Sequence, residues 1–516
     1  MSEKLFRSTA IVSMMTFLSR ILGFVRDIVI ARLFGAGLGA DAFFVAFKIP
    51  NFLRRLFAEG AFSQAFIPVL AEYRERGDKD LKQLIAATSG TLTIILFFIT
   101  AIGVIAAPII IMVFAPGFIG NPQKIELAGD LLKVTFPYLF FISLTALAGS
   151  ILNSFGKFAI PAFTPVFLNL SLIGSAIWLS PQLDEPVTAL AWGVFIGGVV
   201  QLLFQIPFLI KIGQLPKPRW GWKDSGVQKI LKLMLPAIFG VSVAQINLLL
   251  DTLLASFLVT GSISWLYYSD RLVEFPLGVF GIALSTVILP SLSKKHASKS
   301  MAEFSHTIDW ALRWVFIIAT PAAIGLIWLA EPLLLTLFQY GEFSASDAHQ
   351  ASLSLMAYGL GLLPFIFIKV LAPGYYARQD IKTPVKIGII AMITNMVLNI
   401  ILMMQYAHVG LALATSLSAL LNAGLLYLGL RKRGVYTPDL GWGTFILKLL
   451  APNTLLIAAL AWFTPDANTW IDGTAWQRFI MLSSLIVGAM ALYFSILPFV
   501  GIKVKQLLKP KLSIEN

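Results

Sequence analysis

The chain has 516 residues, of which 58% are hydrophobic and 13% are charged, and it contains no cysteine. The charged fraction is about half of the roughly 25% typical of soluble proteins, which excludes a soluble globular protein, and the lack of cysteine excludes disulfides, thiolate metal sites and a cysteine nucleophile. The net charge of +13 is explained by the basic cytoplasmic loops of a membrane protein, so we expect no nucleic-acid partner.

Apolar runs of about 20 residues, long enough to cross a bilayer as helices, follow one another along the whole chain. We place fourteen predicted spans at residues 8–33, 38–61, 84–113, 128–152, 160–180, 187–211, 229–257, 263–291, 307–337, 350–373, 384–404, 408–430, 443–464 and 477–501. No small-residue cleavage site follows the first run, so we expect an uncleaved first helix. Basic loops alternate with loops nearly free of Lys and Arg, which puts both termini in the cytoplasm and requires an even number of spans.

The first two spans carry charges that each cost roughly 2.5–3.5 kcal/mol at the centre of a bilayer. At about 100° per residue, a stripe on the first span falls within roughly 120° and consists of Ser19, Arg20, Gly23, Arg26 and Asp27. Arg32 lies on the opposite face, where it can snorkel. A stripe on the second span falls within roughly 40° and consists of Asp41, Lys48, Arg55 and Glu59. Pro50 is expected to kink or break that helix.

Two adjacent charged stripes favour the wall of a wet cavity, whereas structural ion pairs between helices are the alternative. The eighth span offers matching groups, because Arg271 and Glu274 are three residues apart and share a helix face. The basic candidates are Arg20, Arg26, Lys48, Arg54, Arg55 and Arg271, and the acidic ones are Asp27, Asp41, Glu59 and Glu274. The surplus of basic groups suits an anion, above all phosphate, which accepts the planar guanidinium fork.

The chain also repeats itself. Residues 27–31 (DIVIA) lead to FIPVL at 66–70, and residues 251–255 (DTLLA) lead over a similar distance to ILPSL at 288–292. Both copies start from the cytoplasmic side, so we predict an all-α polytopic membrane protein with two six-helix lobes around a central cavity. The predicted parts are an N-terminal lobe at 1–222, a C-terminal lobe at 223–435 and two further helices at 436–516.

Four long motifs carry a family resemblance: SRILGFVRD (19–27), ADAFFVAFKIPNFLRRLFAEGAFSQAFIPVLAEY (40–73), YYSDRLVEFPLGVFGIAL (267–284) and KVLAPGYYARQDIKTPVK (369–386). The chain resembles the MurJ (MviN) family of lipid II flippases, within the multidrug/oligosaccharidyl-lipid/polysaccharide exporter superfamily. The resemblance implies a V of two lobes, alternating access and a groove for the undecaprenyl tail on the last two helices. It also implies functional roles for Arg20, Arg26, Asp27, Asp41, Arg54, Arg55, Glu59 and Arg271.

Some members of that family hold a sodium ion in the second lobe, and the resemblance implies a matching set here. The matching positions are Asp251, Asn395, Asn399 and Thr415. Oxygen ligands suit a hard cation. Only Asp251 is charged, however, so a plain hydrogen-bond network is the alternative.

The resulting hypothesis is a monomeric, non-enzymatic flippase of the bacterial inner membrane, with lipid II and membrane lipids as its partners. Export of another polyprenyl-linked oligosaccharide and ion-coupled drug antiport are the alternatives within the superfamily. A membrane glycosyltransferase would need clustered acids or histidines, and the four histidines are scattered at positions 296, 306, 349 and 408. We interpret His306, Asp309 and Arg313 as capping or pairing at a helix start.

Overall fold

The structure is a computed structural model that describes residues 3–502, apart from the side chains of residues 3–10, 58, 59, 239–241, 243, 244, 282 and 283. All regular secondary structure in the described residues is helical. The chain forms two compact units, Met1–Ser264 and Trp265–Asn516. These units do not test the predicted lobe boundary at residue 222, which stays a prediction.

The first unit is built from eleven α-helices and part of a twelfth, counted over the described residues. They are α1 (Glu3–Phe34), α2 (Leu38–Leu53), α3 (Ser63–Arg76), α4 (Asp78–Ile105), α5 (Ala107–Phe114), α6 (Pro122–Thr135), α7 (Tyr138–Ser154), α8 (Ala159–Phe163), α9 (Pro165–Gly174), α10 (Thr188–Lys211), α11 (Ser225–Ala255) and the start of α12 (Ser262–Pro276). Fully buried apolar side chains of α3, α4 and α7, among them Phe66, Leu84 and Ile151, form its core.

The second unit begins at Trp265, within α12. Its further helices are α13 (Ile282–Ala297), α14 (Met301–Trp328), α15 (Ala330–Leu337), α16 (Ala345–Tyr376), α17 (Lys382–Lys432), α18 (Trp442–Phe463), α19 (Ala467–Asp472) and α20 (Ala475–Phe499). Short π-helical stretches join α2 to α3 at Arg54–Phe62, follow α9 at Ser175–Leu179 and join α12 to α13 at Leu277–Gly281.

Within the described residues, ten helical segments are long and apolar enough to cross a membrane, so the predicted all-α polytopic membrane class is confirmed. Each predicted span lies in helical structure, and the architecture is compatible with fourteen spans. The eleventh and twelfth predicted spans both fall in α17, which is interrupted at Ala407 (φ 49°, ψ −129°). The chain folds back there, because a Cβ added to Gly410 would lie 2.2 Å from the Leu402 carbonyl oxygen.

The second predicted span contains Pro50, but helical structure continues past this residue into the π-helix Arg54–Phe62. Proline removes one backbone donor, and a π-helical stretch is one way in which a helix absorbs such a disturbance. The rotation per residue changes in a π-helix, so the alignment of Arg55 and Glu59 with Asp41 at 100° per residue does not hold. The side chain of Glu59 lies outside the described part of the structure.

Candidate functional site

Arg26 and Asp27, neighbours on α1, form a buried ion pair. The Nε and Nη2 atoms of Arg26 donate to Asp27 Oδ1 at 2.9 and 2.6 Å. Only 8% of Arg26 and 1% of Asp27 is exposed. A buried charge is tolerated when it is paired and hydrogen-bonded, so Asp27 allows Arg26 to sit inside the first unit. Arg20, one turn and a half earlier, is exposed.

Asn169 on α9 completes this group, and the sequence analysis missed it. Its Oδ1 accepts a hydrogen bond from Arg26 Nη1 at 3.0 Å, and its Nδ2 donates to the carbonyl oxygen of Ser19 at 3.0 Å. A Cβ added to Gly23 would lie 3.6 Å from Asn169 Nδ2, so the amide packs over this glycine. The predicted stripe of Ser19, Gly23 and Arg26 therefore faces one residue of another helix. An amide within an apolar span was the available signal.

Asp41, near the start of α2, lies in a second buried group. Its carboxylate accepts hydrogen bonds from Lys124 Nζ at 3.0 Å, from Ser264 Oγ at 2.7 Å, and from the backbone N–H groups of Gly261 and Ser264 at 2.8 and 3.0 Å. Asp41 is 1% exposed and Lys124 is 5% exposed. These four residues are called the Asp41 clasp below.

Lys124 on α6 is the other residue that the sequence analysis missed. Its Nζ lies 4.4 Å from the ring centroid of Phe118 and 3.4 Å from Thr260 Oγ1. Beside it, the backbone N–H of Gly117 donates to Ser256 Oγ at 3.0 Å, and a Cβ at Gly117 would lie 2.2 Å from the Ser256 carbonyl oxygen. Residues 115–124 thus pack closely on segment 256–264, which consists of the α11–α12 loop and the first residues of α12. The predicted topology puts both on the periplasmic side.

The basic residues at the α2–α3 junction are half-buried. Arg54 Nε and Nη2 both donate to Asn51 Oδ1, at 2.9 and 2.7 Å. Lys48 and Arg55 are also partly exposed. Arg54 is therefore held by a neighbouring amide at a partly exposed surface.

In the second unit, Arg271 pairs with Glu274, with which it shares a helix face. Its Nη1 donates to Glu274 Oε2 at 2.8 Å and its Nη2 to the Tyr267 hydroxyl at 3.3 Å, with the guanidinium 4.9 Å from the tyrosine ring centroid. The side chains are 31% and 48% exposed, so this pair is open to solvent or ligand. Arg26 belongs to the first unit and Arg271 to the second, and their convergence on one cavity stays a prediction.

The residues matched to a sodium site are divided between the units, with Asp251 in the first and the others in the second. Asn399 Nδ2 donates to Asn395 Oδ1 at 3.0 Å, and Asn395 Nδ2 to Thr415 Oγ1 at 3.4 Å. Both asparagines are fully buried. The described residues contain no cluster of three or more His, Cys, Asp or Glu side chains that could hold a metal ion. The amide and hydroxyl oxygens nevertheless fit a hard monovalent cation.

Residues 30–480 match the protein-family model described as lipid II flippase MurJ. The chain is 55% identical over 516 residues to a probable lipid II flippase MurJ of Vibrio cholerae serotype O1, covering 98% of both chains. It is 51% identical over 508 residues to that of Haemophilus influenzae, covering 96% of this chain and 99% of the relative. It is also 43% identical over 505 residues to the lipid II flippase MurJ of Burkholderia cenocepacia, covering 97% and 98%.

Solved structures agree with these relatives. A lipid II flippase MurJ in an inward closed conformation matches with a TM-score of 0.81 and 27% identity, over 96% of this chain and 99% of that one. An inward-facing multidrug resistance transporter of the MATE family, in the MOP superfamily, matches with a TM-score of 0.66 and 14% identity, over 82% and 97%. The second likeness shows a shared fold alone.

Proposed function

The chain belongs to the lipid II flippase MurJ family, and we propose that it moves lipid II from the cytoplasmic to the periplasmic leaflet of the bacterial inner membrane. The observation that carries the proposal is the buried Arg26, oriented on α1 by Asp27 and Asn169. Holding a cation inside a membrane protein is costly. If the diphosphate of lipid II replaces Asp27 as the partner of the Arg26 guanidinium, the need to bind substrate explains why a buried arginine is present.

In this proposal the diphosphate of lipid II binds Arg26, Arg271 and the basic residues at the α2–α3 junction. Charge-assisted hydrogen bonds from guanidinium forks to phosphate oxygens are roughly twice as strong as neutral ones. Asp27 and Glu274 hold the two arginines when no lipid is bound, since each already pairs with its arginine. The sugar–pentapeptide then lies in a wet cavity, and the polyprenyl tail stays in lipid along α18 and α20.

The Asp41 clasp supports an alternating-access cycle. A buried carboxylate with a buried lysine and three further donors holds α2, α6 and segment 256–264 together on the predicted periplasmic side. Release of lipid II outward requires this contact to open. In this proposal Asp41 is part of a periplasmic gate. Its contribution to the cycle does not require direct contact with the substrate.

The membrane potential can drive the cycle if both termini lie in the cytoplasm. Each elementary charge that crosses the membrane changes the free energy by about 2.3 kcal/mol per 100 mV. With the cytoplasm negative, outward movement of a diphosphate is favoured, and so is inward return of an emptied, net-positive cavity. We propose that a monomer carries out this cycle.

A sodium ion held by Asp251, Asn395, Asn399 and Thr415 is a second part of the proposal. Bound sodium would supply a positive charge, and its binding would stabilise the arrangement of α11 and α17 in which the four residues can reach it. The test is the melting temperature of the purified protein in sodium chloride against choline chloride. We expect a higher value in sodium for the wild type and no difference for Asn399→Leu. Equal melting temperatures for the wild type would contradict sodium binding and leave the hydrogen-bond network.

The flipping proposal is tested in proteoliposomes that contain lipid II and the wild type, Arg26→Ala or Arg271→Ala. We expect a loss of about tenfold or more in flipping rate for each variant, because each removes a bidentate phosphate ligand. Arg26→Lys should also lose activity, since an ammonium lacks the fork. Arg32→Ala, an exposed arginine in the last turn of the same helix, is the matched control. Full activity of both alanine variants would overturn the proposal.

The same assay separates the alternatives that share this fold. A drug antiporter that takes cations should carry surplus acid at its site, whereas the candidates here carry surplus arginine. Flipping of a polyprenyl-linked oligosaccharide other than lipid II, with no flipping of lipid II, would instead favour an exporter of different cargo.

A further inference from the structure

Two buried charged residues of the second unit, Asp309 and Arg478, have no part in the proposed lipid II site. Asp309 is fully buried and Arg478 is 5% exposed. A buried charge is several kcal/mol unfavourable unless pairing and hydrogen bonds compensate it. Their partners therefore show which parts of the fold these charges hold together.

Asp309 on α14 binds the segment that leads into α18. Its Oδ1 accepts hydrogen bonds from the Tyr436 hydroxyl at 2.8 Å, from Trp442 Nε1 at 2.6 Å and from the backbone N–H of Asp439 at 3.1 Å. Its Oδ2 accepts from Arg313 Nε at 2.8 Å. These five residues are called the Asp309 latch below. The carboxylate thus joins one turn of α14 to the first residue of α18.

Aromatic contacts strengthen this latch. The guanidinium of Arg313 lies 5.1 Å from the ring centroid of Trp442 and 5.3 Å from that of Phe445. A cation at this distance from an aromatic face contributes about 0.5–2 kcal/mol. One turn earlier on α14, Ser305 Oγ donates to the Thr437 carbonyl oxygen at 2.9 Å. The linker 435–442 is therefore fixed along one face of α14.

Arg478 on α20 makes the second connection. Its Nη1 donates to the carbonyl oxygens of Leu335 and Gln339 at 3.1 and 3.3 Å, and its Nη2 donates to that of Ile471 at 2.8 Å. The last carbonyl groups of a helix carry partial negative charge and lack partners within the helix. Arg478 satisfies them at the end of α15. These four residues are called the Arg478 latch below, and the predicted topology puts it on the membrane face opposite to the Asp309 latch.

The two C-terminal helices also pack on α14, on α15 and on each other, but few of their side chains are buried. Much of their surface is exposed and apolar, as at Leu447 (67%), Trp462 (84%) and Val487 (65%). Lipid tails are as apolar as such side chains, so the hydrophobic effect does not drive helices together inside a bilayer. Polar contacts at the helix ends are then the specific restraints on position.

We propose that the two latches make α18 and α20 move together with α14 and α15 as one rigid body, and that Asp309 and Arg478 are positioning residues for the polyprenyl tail. The inference rests on the proposed function, in which the tail lies along α18 and α20. A polyprenyl tail held on a fixed surface keeps a constant position relative to the diphosphate during the alternating-access cycle. A tail on loosely attached helices does not.

The first test measures position without any transport. The chain lacks cysteine, so spin labels can be placed at Met301 and Leu447, both exposed, to report the separation of α14 and α18. We expect a narrow distance distribution in the wild type that is the same with and without lipid II. Asp309→Asn should broaden it. Asp472→Asn, an exposed acid on α19, is the charge-matched control. A distribution that Asp309→Asn leaves narrow would overturn the latch.

The second test separates positioning from a general loss of structure. Lipid II with its undecaprenyl tail and an analogue with a short farnesyl tail are flipped by the wild type, Asp309→Asn and Arg478→Gln. We expect both variants to lose about tenfold on the long-tailed substrate, since small misplacements have large kinetic effects, and to keep near wild-type rates on the short-tailed one. Equal losses on both substrates, or no loss on either, would contradict the positioning role.

The two tests keep the proposals separable. If the wild type flips neither substrate, the proposed function fails, and the spin-label distances still decide whether the Asp309 latch fixes α18 on α14. If the wild type flips both substrates and the variants show no selective loss, the proposed function stands and the positioning role fails.

Discussion

Lys124 and Asp41 form an ion pair with 3.0 Å between Nζ and Oδ2, and both side chains are almost completely buried. The pair joins α6 to α2, and three further donors from segment 256–264 complete the hydrogen bonding of the carboxylate. Breaking a buried pair by removing one partner is far more destabilising than replacing both. The clasp is therefore a strong and specific restraint on these three elements.

Replacing Lys124 by Met should weaken the closed clasp by about 3 kcal/mol, because the Asp41 charge then stays buried without its cation. The expected result is faster labelling of a cysteine introduced at Ser262, which is fully buried beside the clasp, by a membrane-impermeant thiol reagent. A double variant, Lys124→Met with Asp41→Asn, should recover part of the loss.

The control for this prediction lies on the same helix. Lys133 and Asp130 pair at 2.8 Å, but their side chains are 46% and 60% exposed, and exposed pairs contribute at most about 1 kcal/mol. Lys133→Met should leave the labelling rate unchanged. Equal labelling in Lys124→Met and the wild type would show that the clasp is not a gate.

Asn169→Ala should weaken lipid II binding about threefold to tenfold, less than Arg26→Ala, because the hydrogen bond that it removes is worth about 1 kcal/mol and orients Arg26 without contacting the substrate. Binding of lipid II to the purified variants measures this. Gln182→Ala, an exposed amide on the predicted periplasmic side, should bind like the wild type. Unchanged affinity of the Asn169→Ala variant for lipid II would show that Asn169 does not support substrate binding.

Ala407→Gly should stabilise the fold by about 1 kcal/mol, since the backbone at Ala407 has φ 49° and ψ −129°, a conformation that strains every residue with a Cβ. Thermal melting measures the change. The same substitution at Ala423, inside the regular part of α17, should be destabilising by a similar amount. A lower melting temperature for Ala407→Gly would contradict the strain.

Asp380 should make stability depend on pH in the acid range. Hydrogen bonds from the Thr383 hydroxyl and backbone, and pairing with Arg433, lower the pKa of Asp380 to about 2. A folded-state pKa below the ordinary value of about 3.9 means that the ionised group stabilises the fold fully above pH 4. This stabilisation is lost as the pH falls through about 2.

Asp380→Asn tests that statement. We expect a loss of about 1 kcal/mol at neutral pH, the usual net worth of a hydrogen bond, and a shallower fall of the melting temperature between pH 4 and 2. Asp184→Asn, an exposed acid in a loop, is the control. An identical dependence of the melting temperature on pH in Asp380→Asn and the wild type would contradict the stabilising role of the ionised Asp380.

The sequence predicted the class of the protein and its first charged stripe because those depend on composition and helical periodicity alone. Length and apolar runs indicate membrane helices, and the i, i+3, i+4 pattern predicts that Ser19, Gly23 and Arg26 share a face. Asn169 packs against that face. That Arg271 and Glu274 share a helix face was predictable for the same local reason.

The partners across helices were not predictable, because they depend on tertiary packing. In the sequence, Lys124 differs from its surroundings only as the single basic residue of 117–127. Its burial against Asp41 follows from the approach of α6 to α2. The π-helix Arg54–Phe62 also broke the angular alignment of Arg55 and Glu59, since that alignment assumed an α-helix throughout. The spacing of Asp309 and Arg313 predicts local capping or pairing, and the two residues do pair. The other partners of Asp309 lie more than a hundred residues away and were not predictable.

The central claim is that Arg26 and Arg271 hold the diphosphate of the lipid, and the most direct measurement is the affinity of purified wild type, Arg26→Gln and Arg271→Gln for lipid II and for an analogue without phosphate. We expect each variant to bind lipid II at least about tenfold more weakly than the wild type, while all three proteins bind the phosphate-free analogue equally weakly. Unchanged affinity of both variants for lipid II would contradict the account.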